Sequence, residues 1–75
     1  MAMNYAYNYA EIDLATGMCI GFKSRTLELT EEEAARYPNW ILVPVNDPEY
    51  IGKYYINGAW YEDAAGTIPW ESSLL

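Results

Sequence analysis

Asn57-Gly58 sits between two aromatic segments, Tyr54-Tyr55-Ile56 and Ala59-Trp60-Tyr61. No other dipeptide leaves this chain so little freedom. A type I′ turn needs positive φ at both central positions, and asparagine followed by glycine accepts it. Counting outward pairs Ile56 with Ala59, Tyr55 with Trp60, Tyr54 with Tyr61 and Lys53 with Glu62. Two aromatic pairs and one opposite-charge pair fall in a single register, which predicts a β-hairpin over residues 53–57 and 60–63.

A second hairpin is predicted near the start of the chain. Residues 5–14 alternate with period two, Tyr5, Tyr7, Tyr9, Glu11 and Asp13 against Ala6, Asn8, Ala10, Ile12 and Leu14. The strand that follows, 18–25, carries Met18, Ile20 and Phe22 on one side. A two-residue loop at Thr16-Gly17 would put the two aliphatic sets on opposite faces. A three-residue loop, Ala15-Thr16-Gly17, pairs Leu14 with Met18, Ile12 with Ile20 and Ala10 with Phe22. It also puts Gly17 where a left-handed residue is wanted, so it is the preferred loop. Tyr7 and Tyr9 then face Arg25 and Lys23, a setting for cation–π contacts.

Between the hairpins, Leu27-Glu28-Leu29 extends the second strand or starts a crossing. Thr30 and Glu33 form a capping box, and Glu31 to Glu33 suit the positive end of a helix over 30–36. Pro38 disfavours helical geometry at Tyr37 and ends it. Trp40 to Val45 reads as a third strand with apolar cover on both faces, and Pro44 makes it an edge or ends it. Asn46 to Glu49 is a turn. After Asp63 the periodicity fades, so residues 64–75 are expected either as a tail or docking arm that packs Ile68 and Trp70 on the sheet or on a partner, or as a loose arm. The predicted fold is a small, β-rich α+β domain over residues 1–63. Two hairpins and one strand form a curved antiparallel sheet, with one short helix over a face. The expected core is Ile12, Leu14, Ile20, Phe22, Leu29, Ile41, Val43, Ile56 and Trp60.

Composition narrows the chemistry. With 75 residues the chain makes one small domain with a thin core. One cysteine and no histidine exclude an internal disulfide, a zinc centre and nucleophile–histidine–acid catalysis. Asp13, expected beside Cys19 on the outer face, would raise the thiol pKa and keep it inert. The five glycines are scattered, and neither a phosphate loop nor EF-hand spacing is present. The expectation is a non-enzymatic chain with no catalytic residue, cofactor or metal. No apolar run spans a membrane and the first residues do not read as a signal peptide, so neither a membrane role nor export is expected. A net charge of −7 disfavours direct binding to nucleic acid.

The aromatics are in surplus. Eight tyrosines and three tryptophans exceed what so small a core can bury. Tyrosine and tryptophan are enriched at interfaces. Tyr5, Tyr7, Tyr9, Tyr54, Tyr55 and Trp70 are therefore the candidate interface residues. Stacking on carbohydrate is another use for such a face.

Tyr9-Ala10-Glu11-Ile12-Asp13 leading into Gly17-Met18-Cys19-Ile20-Gly21 resembles the N-terminal hairpin of small proteins encoded in the tail modules of phages and prophages of gut Firmicutes. Tyr50-Ile51-Gly52-Lys53-Tyr54-Tyr55-Ile56-Asn57-Gly58-Ala59-Trp60 is similar to a later segment of the same group, and Asn39 to Val45 stands where its valine-rich strand precedes it. The resemblance covers residues 9–63. It implies a virion structural or tail-fibre accessory role without catalysis. The implied partners are further copies of the chain or other phage tail proteins. The implied location is the host bacterial cytoplasm during assembly, then the virion. The charge of −7 supports an alternative, a small acidic inhibitor of a host nucleic-acid-binding protein.

Overall fold

The computed structural model describes residues 7–75. Over these residues the chain is β-rich with one short helix, in the order β1 (Tyr7–Ile12), β2 (Cys19–Arg25), α1 (Glu31–Arg36), β3 (Trp40–Val43), a 3₁₀ turn (Pro48–Tyr50), β4 (Tyr54–Ile56) and β5 (Ala59–Tyr61). The strands form two antiparallel sheets. One is three-stranded in the order β2-β1-β3, and the other is the β4-β5 hairpin. Backbone bonds lock them together. Cys19 N–H donates to Lys53 C=O at 2.7 Å, Gly52 N–H to Cys19 C=O at 2.8 Å, and Tyr55 N–H to Gly17 C=O at 2.8 Å.

The second hairpin forms in the predicted register, with Tyr54 opposite Tyr61, Tyr55 opposite Trp60 and Ile56 opposite Ala59. Asn57 and Gly58 have φ of 50° and 83°, as a type I′ turn requires. Lys53 Nζ and Glu62 Oε1 lie 4.0 Å apart, which completes the expected charge pair. The capping box also forms. Glu33 N–H donates to Thr30 Oγ1 and Thr30 N–H to Glu33 Oε1, at 3.1 and 3.0 Å. β3 is an edge strand and stops before Pro44.

The first hairpin needs a correction. From Tyr7↔Arg25 through Ala10↔Phe22 to Glu11↔Gly21 the pairing is the expected one, but a bulge then places Ile12 opposite Cys19, not Ile20. Asp13 N–H donates to Met18 C=O and Gly17 N–H to Asp13 C=O, so the loop has four residues, 14–17. Gly17 still takes the left-handed place, with φ of 81°. The extra residue exchanges two neighbours between faces, as a bulge must. Cys19 turns inward and is buried, whereas Ile20 is 51% exposed. Leu14, expected in the core, rides on the loop at 76% exposure.

The main core lies on the even face of β1. Ala10, Ile12, Cys19, Val43 and Tyr50 are buried there, and Phe22, Ile41, Tyr55, Trp60 and Trp70 pack against them. Tyr50, absent from the expected core, is buried at its centre. Asp47 caps the 3₁₀ turn by accepting Glu49 N–H at 2.9 Å, and the turn swings the Tyr50 ring over the sheet. There it stacks on Phe22 (6.0 Å) and meets Trp60 and Trp70 edge-on at 4.8 and 4.9 Å.

Residues 64–75 fold back onto this core. Glu62 N–H donates to Ile68 C=O at 2.8 Å and Trp70 N–H to Trp60 C=O at 3.0 Å, so the tail runs beside β5. Trp70 packs, whereas Ile68 stays half exposed. Buried Ser72 donates its hydroxyl to buried Asp47 at 2.5 Å. Asp63 organises the return. Its carboxylate accepts the Thr67 hydroxyl and the N–H groups of Thr67 and Ile68. The Thr67 hydroxyl, followed by Ile68 N–H, holds the Asp63 carboxyl below its ordinary range. A depressed folded pKa contributes stability that is complete above the ordinary aspartate value of about 4 and lost as pH falls through the folded value. The Asp63 carboxyl resonance should titrate with a midpoint below that of an unstructured aspartate. Protection of the Thr67 amide should be lost over the same acid range, and Asp63→Asn should remove that pH dependence. A midpoint at or above the ordinary value would contradict this.

Candidate functional site

The odd face of the three-stranded sheet carries Tyr7, Tyr9 and Glu11 on β1, Lys23 and Arg25 on β2, and Trp40 and Leu42 on β3. α1 and its lead-in lie over part of it. Their contacts differ from the expected ones. Lys23 and Arg25 do lie opposite Tyr9 and Tyr7, but neither tyrosine receives the cation. Lys23 sits 5.4 Å over the Trp40 ring and 3.7 Å from Glu11. Arg25 pairs with Glu33 of α1 at 3.5 Å. The reason is tertiary: β3 brings an indole alongside β1, and the helix brings a carboxylate above β2.

The candidate interface residues separate. Tyr5 lies outside the described residues. Tyr9 is only 5% exposed, and its hydroxyl accepts Leu29 N–H at 3.1 Å, so it fixes the helix lead-in. Tyr54 and Tyr55 are half-buried in the second hairpin, where Tyr55 packs on Trp60 at 5.0 Å. Trp70 is held by Tyr50 and by Lys53, whose ammonium lies 5.3 Å above the indole. Tyr7 lines a surface groove with Leu42, Val43 and Pro44.

A second groove, of about 330 Å³, lies between α1 and the β1–β3 half of the sheet. Tyr9, Leu29, Tyr37, Trp40 and Leu42 line it, with Glu28 as its one charged residue. Tyr37 and Trp40 stack at 4.4 Å to form one wall. Leu42 belongs to both grooves and is 51% exposed. Residues 37–46 contain no charge at all in a chain of net −7. This strip was only partly legible in sequence. Trp40 to Val45 read as a strand covered on both faces, but α1 buries none of its own residues and leaves the outer side of Leu42 open. Tyr37 read only as a helix end.

The free edge of β3 is blunted. Ile12 N–H donates to Asn39 C=O at 2.8 Å. By the alternation of an antiparallel ladder, the backbone groups of Ile41 and Val43 then face β1 and those of Trp40 and Leu42 face outward. Trp40 N–H is taken by Tyr37 C=O at 3.1 Å, and Pro44 has no N–H. Leu42 supplies the one outward N–H over this stretch, so a partner would meet side chains more than a strand ladder.

The charges are largely consumed internally. Each of the four bases has a glutamate partner: Lys23 with Glu11, Arg25 with Glu33, Arg36 with Glu32 and Lys53 with Glu62. Three aspartates serve turns: Asp13 accepts Ala15 N–H, Asp47 accepts Glu49 N–H, and Asp63 accepts Thr67 N–H. Among the described residues no group of three or more Cys, Asp or Glu is placed to hold a metal ion. No helix there is long and apolar enough to cross a membrane. Cys19 is buried, not on the outer face beside Asp13, and burial first, with a smaller push from Glu11, raises its thiol pKa. Such a thiol is a poor nucleophile. Comparison with protein-family models, with curated proteins and with solved structures finds no match to the chain.

Proposed function

We propose that this chain is a non-enzymatic binding module, a structural or tail-associated component of a phage or prophage, that assembles with tail proteins or further copies of itself. The observation that carries the reading is the uncharged strip of residues 37–46, with two adjoining grooves that share Leu42. Isolated exposed apolar residues need no explanation, but an apolar patch rimmed by charge is the usual mark of a docking surface. Aromatic side chains supply area there at small entropic cost. The phage assignment itself rests on the resemblance of residues 9–63 to tail-module proteins.

Light scattering at high concentration, with co-purification alongside neighbouring tail proteins, tests the reading. A defined assembly should form, and Tyr7→Ser with Leu42→Ser should weaken it at least about tenfold, the effect of losing roughly 1.4 kcal/mol of contact. A strict monomer that captures no tail protein, unchanged by both substitutions, would remove the proposal. The acidic-inhibitor alternative has its own signature, capture of a basic host protein that is released at high salt.

A further inference from the structure

We infer that the groove beneath α1 seats an extended segment of a different protein, one that carries a basic side chain flanked by apolar ones. The inference rests on the assembly reading above and names its partner class. The apolar part of the requirement follows from the walls, the stacked Tyr37 and Trp40 with Leu29 and Leu42. The basic part follows from Glu28. Covering a carboxylate without a compensating cation opposes binding, and Glu28 stands exposed at the groove, so an occupant that brings a cation over it is favoured.

Among the described residues, each Lys and Arg of this chain already faces a glutamate. Lys23 is held between Glu11 and Trp40, Arg25 by Glu33, Arg36 by Glu32 and Lys53 by Glu62. A second copy would bring the same four committed bases and a further net charge of −7. Charge complementarity therefore selects a partner of other sequence. The manner of binding follows from the blunted edge. With Leu42 as the one outward N–H over residues 40–44, strand addition has little to grip, and recognition falls to side chains in the groove.

Selection of a random peptide library on the full chain tests this, followed by calorimetric titration of the most enriched peptide. Enriched peptides should carry Lys or Arg beside Leu, Ile or Pro. Glu28→Gln should weaken binding about tenfold and flatten its salt dependence. Glu31→Gln, which removes a neighbouring acid that does not line the groove, should leave the affinity unchanged. Replacing the basic residue of the peptide should cost the wild type as much as Glu28→Gln does, and should cost the Glu28→Gln variant little more. Circular dichroism confirms that each variant is folded. Enrichment of neutral or acidic peptides, or equal effects of the two glutamate substitutions, would overturn the inference. If the chain self-assembles through Leu42 yet selects no basic peptide, the inference fails and the assembly reading stands. If it neither assembles nor selects a peptide, both fail.

Discussion

Tyr50→Ala should leave the domain largely unfolded at room temperature, while Tyr50→Phe should melt close to the wild type. Tyr50 is 2% exposed and its ring touches Phe22, Trp60 and Trp70, which come from three different parts of the chain. Deleting a buried aromatic side chain costs about 3–5 kcal/mol. A chain of this length holds roughly 4–11 kcal/mol of total stability, and a thin core places it toward the lower end. The phenylalanine variant keeps the ring and so keeps the three contacts. Burial, with help from the Asp47 carboxylate, raises the Tyr50 phenol pKa, so the ring sits neutral in the core and removal of its hydroxyl changes no charge. Thermal melting by far-ultraviolet circular dichroism measures the effect. A fall in melting temperature smaller than about 10 °C for the alanine variant would mean that the core does not hinge on this ring.

The importance of Tyr50 illustrates what can be read from a sequence and what cannot. The second hairpin and the helix cap were legible because their determinants are local: Asn57-Gly58 dictates backbone geometry, and Thr30 with Glu33 satisfies the helix's own N–H groups. Tyr50 belongs to no periodic segment. It is buried because a 3₁₀ turn happens to swing over a sheet formed by residues far away in the chain. The first hairpin lies between these cases. Alternation specified five pairs of its register correctly, but alternation cannot locate a bulge. The bulge at Ile20 arises where Cys19 must turn its N–H and C=O to residues 52 and 53. One such residue was enough to exchange Cys19 and Ile20 between core and surface. The candidate interface fared similarly. The alternation grouped Tyr7 with Tyr9, but the lead-in to α1 covers Tyr9 and leaves Tyr7 at the groove beside Leu42. The groove at Tyr37 and Trp40 depends on how a helix rests on a sheet, which no local pattern encodes.

A chain cut after residue 63 should fail to fold, although every strand lies before that point. The tail supplies one side of the aromatic cluster, since Trp70 meets Tyr50 at 4.9 Å and lies beneath Lys53. Trp70 is only partly buried, so its loss costs less than that of a full core aromatic, about 2–3 kcal/mol. The cut also removes the hydroxyl of Ser72 from Asp47, which is 4% exposed. A buried acceptor stripped of a partner costs a further ~1–3 kcal/mol. Together these approach the total stability of so small a domain. Two full-length variants separate the contributions. Ser72→Ala should lower stability by the smaller amount and Trp70→Ala by the larger, each with a cooperative denaturant transition, and neither should be as severe as the truncation. Amide exchange by nuclear magnetic resonance locates the damage. In Ser72→Ala the added exchange should concentrate around Asp47 to Tyr50, because Asp47 caps the turn that carries the tyrosine ring. A cut chain that folds with the wild-type melting temperature would show residues 64–75 to be a dispensable arm, and the aromatic cluster would then have to close without Trp70.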